Sequence, residues 1–183
     1  MNGDTISAIL NRVDSVLAEI QPQAVILFWD SDCSDIDEEH LNPKEKQALR
    51  ETYRSNLLAV SSKILAQGSL LAIAGPELLG EGPKMLDSYW YQHRHGTYLS
   101  KTAMLNDYRV INEEVALQLK TVSYIDIRKA FLDAIPEWSY NSGCVTLDGE
   151  HPNNFGAIIE ANLFSYIINQ WLRLSRPTMC NNT

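Results

Sequence analysis

The chain has 183 residues, of which 45% are hydrophobic and 21% are charged, and its formal net charge is −8 at pH 7. This balance predicts a soluble globular protein with a sizeable core and excludes a disordered chain. The negative charge argues against a nucleic-acid partner, because phosphate backbones are bound by clustered lysine and arginine side chains. No apolar run approaches the roughly 18 residues of a membrane span, and the start of the chain does not resemble a signal peptide.

The cysteines, Cys33, Cys144 and Cys180, are odd in number and lack the spacing of metal ligands. We therefore expect reduced thiols, a cytoplasmic location and neither a metal nor another cofactor. No linker or repeat divides the sequence. The expectation is one domain over residues 1–173, followed by a flexible tail over residues 174–183.

The first half of the chain predicts a helix, a strand and a second helix. Apolar residues at helical spacing run from Ile6 to Ile20 behind the capping pair Asp4-Thr5. The continuous apolar run Ala24–Trp29 is typical of a strand that is covered on both faces of a parallel sheet. After an acidic segment, a helix of about twenty residues is predicted from Pro43 to Gly68.

The second half continues this alternation. Leu70–Ala74 predicts a buried strand, Tyr108–Leu119 belongs to a third helix, and Val122–Ile127 predicts a third strand. Between them lies a loop rich in glycine and aromatic residues, in which His93 and His95 could bind a metal. Two histidines without a third ligand are a weak metal signal. Ordinary packing of the loop, or an aromatic lip that covers the functional site, is favoured instead. The whole pattern predicts a three-layer α/β/α domain whose site lies beyond the carboxyl ends of parallel strands.

The stretch Leu147–Gly156 contains several residues that could take part in catalysis. Asp148 stands three residues before His151, so the two can meet across one turn. The carboxylate would accept a hydrogen bond from one ring nitrogen and leave the other free as a base. Pro152 stiffens the exit, and Asn154 is predicted to cap the last helix. A loop in which these side chains only cap that helix is the alternative.

The string Asp-Gly-x-His-Pro-Asn-x-x-Gly in this stretch resembles the last catalytic block of the SGNH (GDSL-type) esterases and lipases. The resemblance implies a flavodoxin-like α/β/α fold and a carboxylic ester hydrolase. His151 and Asp148 would supply two members of its Ser-His-Asp triad. The implied partner is a small ester, a lipid or an acetylated sugar.

Two other segments carry the resemblance with differences. Gly3-Asp4-Thr5 is similar to the family's second block, which implies that the Gly3 N–H helps to bind the oxyanion. Trp29-Asp30-Ser31-Asp32 stands where the family has Gly-x-Asn-Asp. Ser31 therefore occupies the position of the oxyanion asparagine, and Trp29 replaces a glycine.

The family's first block, a strand ending in Gly-Asp-Ser and followed by a helix and a strand, has no counterpart in the sequence. The resemblance thus implies a truncated domain without its N-terminal strand-helix-strand unit. We therefore expect an esterase domain that is catalytically impaired, because the block with the nucleophilic serine is absent from this sequence. In the family's sheet the missing strand lies beside the equivalent of Ala24–Phe28. We therefore expect a free strand edge there, open to a second copy or a companion segment.

Three other interpretations of these segments stay open. A non-catalytic binding module on the same fold would explain the departures at Trp29 and Ser31. Ser31 could itself be the nucleophile, since it follows a predicted strand. Finally, an apolar strand followed by Asp30 and Asp32 resembles the start of haloacid-dehalogenase phosphatases, in which one aspartate attacks phosphorus beside Mg²⁺.

Overall fold

The computed structural model describes residues 4–28, 41–77, 98–135, 144–147 and 151–174, with the side chains of 98–103 left out. These ranges form five helices and three strands. In chain order they are α1 (Ile6–Ile20), β1 (Ala24–Phe28), α2 (Pro43–Ala66), β2 (Leu70–Ala74), α3 (Tyr98–Leu119), β3 (Ser123–Ile125), α4 (Ile127–Ala134) and α5 (Asn154–Leu174).

The three strands form one parallel sheet in the order β1-β2-β3. Ala24 lies opposite Leu70 in the first pair, and Ala72 lies opposite Ser123 in the second. The predicted α/β class with a parallel sheet is therefore confirmed.

Side chains that alternate along the strands divide the interior into two cores. On one face, Leu71 and Ile73 of β2 pack with residues of α1, α2 and α3. On the other face, Ala72 and Ala74 pack with residues of α4 and α5. The sheet is thus the middle of three layers, as the sequence predicts.

Local sequence signals set the starts of the first two helices. The Thr5 hydroxyl accepts a hydrogen bond from the Ala8 N–H at 3.2 Å and caps α1. The Asn42 side chain and Glu45 form a reciprocal capping box at the start of α2, where Pro43 occupies the first turn. These contacts satisfy N–H groups that a helix leaves without partners at its start.

The third strand is shorter than predicted, because Asp126 begins a helix that the sequence analysis missed. The Asp126 carboxylate accepts a hydrogen bond from the Lys129 N–H at 2.9 Å and so caps α4. Ile127 and Phe131, one turn apart, are fully buried in the second core. This i, i+4 apolar pair behind a capping aspartate is typical of a helix. Eight residues, however, are too few to show a helical repeat in the sequence.

Strand β1 pairs on one side only within the described part of the sheet. The Gln23 carbonyl accepts a hydrogen bond from the Leu70 N–H at 2.9 Å, so the backbone groups of Gln23 face β2. Because these directions alternate along a strand, Ala24, Ile26 and Phe28 turn their N–H and C=O groups to the open side.

Apolar side chains flank this open side. On α1, Val16 is 37% exposed and Ile20 is 65% exposed. A cavity of about 290 Å³ lies between α1, β1 and α2 and is lined almost entirely by apolar side chains. Among the helices in the described ranges, none has the length and apolarity that crossing a membrane requires.

Candidate functional site

The segment that carries His151 is a short hairpin joined to the start of α5. Thr146 and Pro152 form an antiparallel bridge, and the Leu147 N–H donates to the His151 carbonyl at 2.8 Å. His151 itself is exposed. The hairpin therefore presents the imidazole at the surface while its backbone is held.

The hairpin is anchored near the carboxyl ends of the strands. Val145 is fully buried in the second core, together with Ala74 at the end of β2 and Ile125 at the end of β3. Sites in parallel α/β sheets form at this edge. Val145 thus ties the hairpin that carries His151 to the second core.

Asn153, and not the predicted Asn154, caps α5. Its side-chain oxygen accepts hydrogen bonds from the N–H groups of Phe155 at 2.9 Å and Gly156 at 3.0 Å. Both asparagines suit a cap by residue type. Asn153 takes the position because its backbone N–H is already held by the Val145 carbonyl at 2.9 Å, which leaves Asn154 as the first helical residue.

Gly156 explains the last letter of the Asp-Gly-x-His-Pro-Asn-x-x-Gly string. It is buried, and a Cβ atom at this position would lie 2.1 Å from the Val145 carbonyl oxygen and 3.1 Å from the Pro152 Cβ. Glycine therefore lets the first turn of α5 approach the hairpin backbone closely.

A buried polar cluster holds the chain where it leaves β2. The Gly75 carbonyl accepts hydrogen bonds from the Asn112 amide at 3.2 Å and from the Tyr124 hydroxyl at 3.0 Å. The Tyr53 hydroxyl in turn donates to the Asn112 side-chain oxygen at 2.7 Å. Residues of α2, α3 and β3 thereby fix one carbonyl at the edge of the sheet. No residue pattern in the sequence marks these side chains for a polar role.

Burial raises the pKa of the Tyr124 hydroxyl well above its usual value, and the negative charge of Asp126 adds to the effect. The phenol therefore stays protonated at neutral pH and can donate its hydrogen bond.

Two charged side chains are buried at the same edge. Glu77, three residues past β2, is 5% exposed, and Arg128, in the first turn of α4, is 1% exposed. The Arg128 Nε donates to the Asn106 side-chain oxygen at 3.3 Å. This hydrogen bond links the start of α4 to α3. Sequence reasoning missed both, because nothing in the pattern distinguishes a buried charge from an exposed one.

Most of the predicted site residues lie outside the described residues. They are Gly3, Trp29, Asp30, Ser31, Asp32, His93, His95 and Asp148. Their predicted roles stay predictions, including the Asp148–His151 hydrogen bond and the phosphatase reading of Asp30 and Asp32. Within the described ranges, no group of three or more potential metal ligands comes together.

A groove of about 510 Å³ lies between α2 and α3, is lined largely by charged side chains and does not include His151. Arg50 pairs with Asp107 at 2.7 Å, and Arg54 pairs with Glu114. Because these charges neutralise one another across the groove, it has the character of a helix–helix contact.

Comparison with known proteins gives matches in structure alone. No protein-family model matches the chain, and no curated protein matches it in sequence. A GDSL-like lipase from Bacteroides thetaiotaomicron matches 92% of this chain and 72% of its own, with 13% identity and a TM-score of 0.63. The acetyl xylan esterase AlAXEase matches 92% of this chain and 78% of its own, with 20% identity and a TM-score of 0.68.

An acetylxylan esterase from Geobacillus stearothermophilus, a catalytic mutant, is similar at 16% identity and a TM-score of 0.64. It covers 91% of this chain, and this chain covers 68% of it. The chain therefore has the fold of the SGNH (GDSL-type) hydrolases. Part of each neighbour has no counterpart in this chain.

Proposed function

We propose that this chain is an SGNH-type carboxylic ester hydrolase domain in which His151 is the general base and Asp148 orients it. The observation that supports this most is the anchored His151 hairpin at the carboxyl edge of a sheet whose fold matches GDSL-like lipases and esterases. Gly3 would contribute an N–H to the oxyanion hole, and Ser31 would stand in the position of its asparagine. One domain spans residues 1–173, with residues 174–183 as a tail.

In the proposed reaction a serine oxygen bonds to the ester carbonyl carbon, and His151 takes the serine proton. The imidazolium, stabilised by Asp148, then gives that proton to the departing alcohol. Water hydrolyses the acyl-serine with the same base. Because the sequence contains no Gly-Asp-Ser string, we expect residues 1–183 alone to lack this serine and to be catalytically impaired.

Aryl acetate hydrolysis tests the impairment. Wild-type chain, His151→Ala and Ser31→Ala are compared under identical conditions, and all three are expected at the background rate. Wild-type turnover well above that of His151→Ala would contradict the impairment. If Ser31→Ala then abolished it, Ser31 would be the nucleophile.

Ester binding tests the site itself. An acetylated xylo-oligosaccharide and a lysophospholipid are titrated while the imidazole signals of His151 are followed by NMR, with the deacetylated sugar and the free fatty acid as controls. We expect one ester class to shift these signals and its control not to do so. If no ester shifts these signals, the proposal of an ester-binding site at His151 is wrong.

A non-catalytic binding module is the second candidate, favoured by Trp29 and Ser31 at positions where the family has glycine and asparagine. A double variant, Trp29→Gly/Ser31→Asn, distinguishes the hydrolase from the binding module. It is fused to the strand-helix-strand unit of a GDSL-like lipase, and turnover is measured. Turnover that disappears in the His151→Ala background supports the hydrolase. Binding without turnover supports the module.

The open side of β1 is the proposed partner surface. Its outward N–H and C=O groups at Ala24, Ile26 and Phe28 can pair with a strand of a second copy or of a companion segment. The exposed side chains of Val16 and Ile20 on α1 would be covered by the same partner. We propose no nucleic-acid partner and a cytoplasmic location.

A further inference from the structure

The amide of Asn153 serves two segments at once. On one side, its oxygen caps α5 through the N–H groups of Phe155 and Gly156. Its backbone carbonyl accepts a hydrogen bond from the Ala157 N–H at 2.8 Å, as the residue before a helix does.

On the other side, Asn153 holds the hairpin. Its backbone N–H donates to the Val145 carbonyl at 2.9 Å, and its side-chain Nδ2 donates to the Thr146 carbonyl at 3.4 Å. In the same bridge the Leu147 N–H donates to the carbonyl of His151, two residues before Asn153. The backbone of His151 is thus tied to α5 by backbone hydrogen bonds of the hairpin and by the side chain of Asn153.

We infer that Asn153 is a positioning residue for His151, an inference that rests on the proposed role of that histidine. Capping needs a hydrogen-bond acceptor, and the link to the Thr146 carbonyl needs a donor. An amide supplies both, whereas a carboxylate supplies acceptors only. Asn153 therefore sets the direction of the imidazole by locking the hairpin to the rigid N-terminus of α5.

The substitution Asn153→Ser separates the two tasks, because serine is as good a cap as asparagine but has no amide donor that reaches Thr146. Asn162→Ser makes the same change on an exposed part of α5 and is the control. We expect both variants to unfold at similar urea concentrations. The tautomer and line width of the His151 imidazole, read by ¹⁵N NMR, should change in Asn153→Ser and stay unchanged in Asn162→Ser.

Unchanged His151 signals in a folded Asn153→Ser variant would overturn the inference. A single Nδ1-protonated tautomer in the wild type would support the proposed Asp148 pairing, and a tautomer mixture would count against that pairing. The positioning role is judged separately, by whether the signals of the two variants differ.

Amide exchange in the wild type gives a test that needs no variant. If Asn153 locks the hairpin to α5, the Leu147 N–H should exchange within about tenfold of the Gly156 N–H, because both open together. Exchange of Leu147 that is more than a hundredfold faster would mean that the hairpin opens by itself, and the inference would be wrong.

Discussion

Gly156 shows how a single residue decides the contact between α5 and the hairpin. In an exposed helix, replacing glycine by alanine favours folding by about 1 kcal/mol. Here the added Cβ would lie 2.1 Å from the Val145 carbonyl oxygen, so the helix or the hairpin must move. Overpacking of this kind costs about 1–3 kcal/mol and is expected to outweigh the helix propensity.

Because the 2.1 Å contact is with a backbone oxygen, the overpacking cost should lie in the upper part of its range, at about 2–3 kcal/mol. Less the helix gain of about 1 kcal/mol, we expect Gly156→Ala to lower the free energy of unfolding in urea by about 1–2 kcal/mol. Ser165→Ala, an exposed position of the same helix, should leave it unchanged or slightly raised. Equal stability of Gly156→Ala and the wild type would show that α5 and the hairpin can separate without cost.

Tyr124 gives a pH-dependent prediction at the same scale. Its pKa in the folded protein is raised by burial, whereas in the unfolded chain it stays near the ordinary value of about 10. The unfolded state therefore loses its proton first, and the stability contributed by the buried phenol, fully present below pH 10, decreases as the pH rises above it.

In Tyr124→Phe, this part of the alkaline loss should disappear, and the free energy of unfolding at pH 7 should fall by about 1 kcal/mol, because the Gly75 carbonyl loses one of two donors. Denaturation followed between pH 7 and 11 measures both effects. The exposed Tyr166→Phe is the control. If the free energy of unfolding decreases with rising pH as steeply in Tyr124→Phe as in the wild type, Tyr124 is not the source of the alkaline loss.

Among the elements, strand β1 pairs with β2 on one side and has no partner on the other side within the described residues. The N–H groups of Val25 and Leu27 face β2, whereas that of Ile26 faces the open side. Strand β2 is paired on both sides, and the Gly75 N–H, just beyond it, still bonds to the Ile125 carbonyl at 3.2 Å.

Amide hydrogen exchange should therefore alternate along β1 in the isolated chain. We expect the Ile26 amide to exchange much faster than that of Ile73 at the centre of the sheet, with Leu27 closer to Ile73. If Ile26 exchanges as slowly as Ile73, some part of the chain or a second copy covers the edge.

At the scale of the whole molecule, the open side of β1 links stability to association. Each 100 Å² of exposed apolar surface corresponds to about 2.5 kcal/mol, and a domain's whole stability is about 5–15 kcal/mol. Burial of Val16, Ile20 and the cavity beside β1 against a partner would thus contribute a large fraction of the free energy of unfolding. The net charge of −8 opposes pairing of two copies until salt screens it.

We expect light scattering on the purified chain to show association that strengthens with salt concentration. Ala24→Pro should weaken it, because proline removes an outward N–H that a pairing strand would use. Ala24→Ser retains that N–H and is the control. A chain that stays monomeric at high protein and salt concentration would contradict the prediction.

Features that depend on neighbouring residues follow from the amino-acid sequence directly. The apolar runs of β1 and β2, the cap at Thr5 and the helix start at Pro43 rest on propensity, periodicity and local hydrogen bonds. The Asp-Gly-x-His-Pro-Asn-x-x-Gly string and the alternation of elements were also sufficient to predict the fold class, because each buried strand must be covered on both faces.

Contacts between residues of distant segments, in contrast, become visible in the folded molecule alone. Asn153 was preferred over Asn154 because Val145, eight residues earlier, holds its N–H, and Gly156 is required by the same carbonyl. Arg128 is buried, and Asn112 and Tyr124 meet at the Gly75 carbonyl, because separate elements pack together, and periodicity treats each element independently. Such contacts depend on the packing of distant segments, which no local pattern of residues encodes.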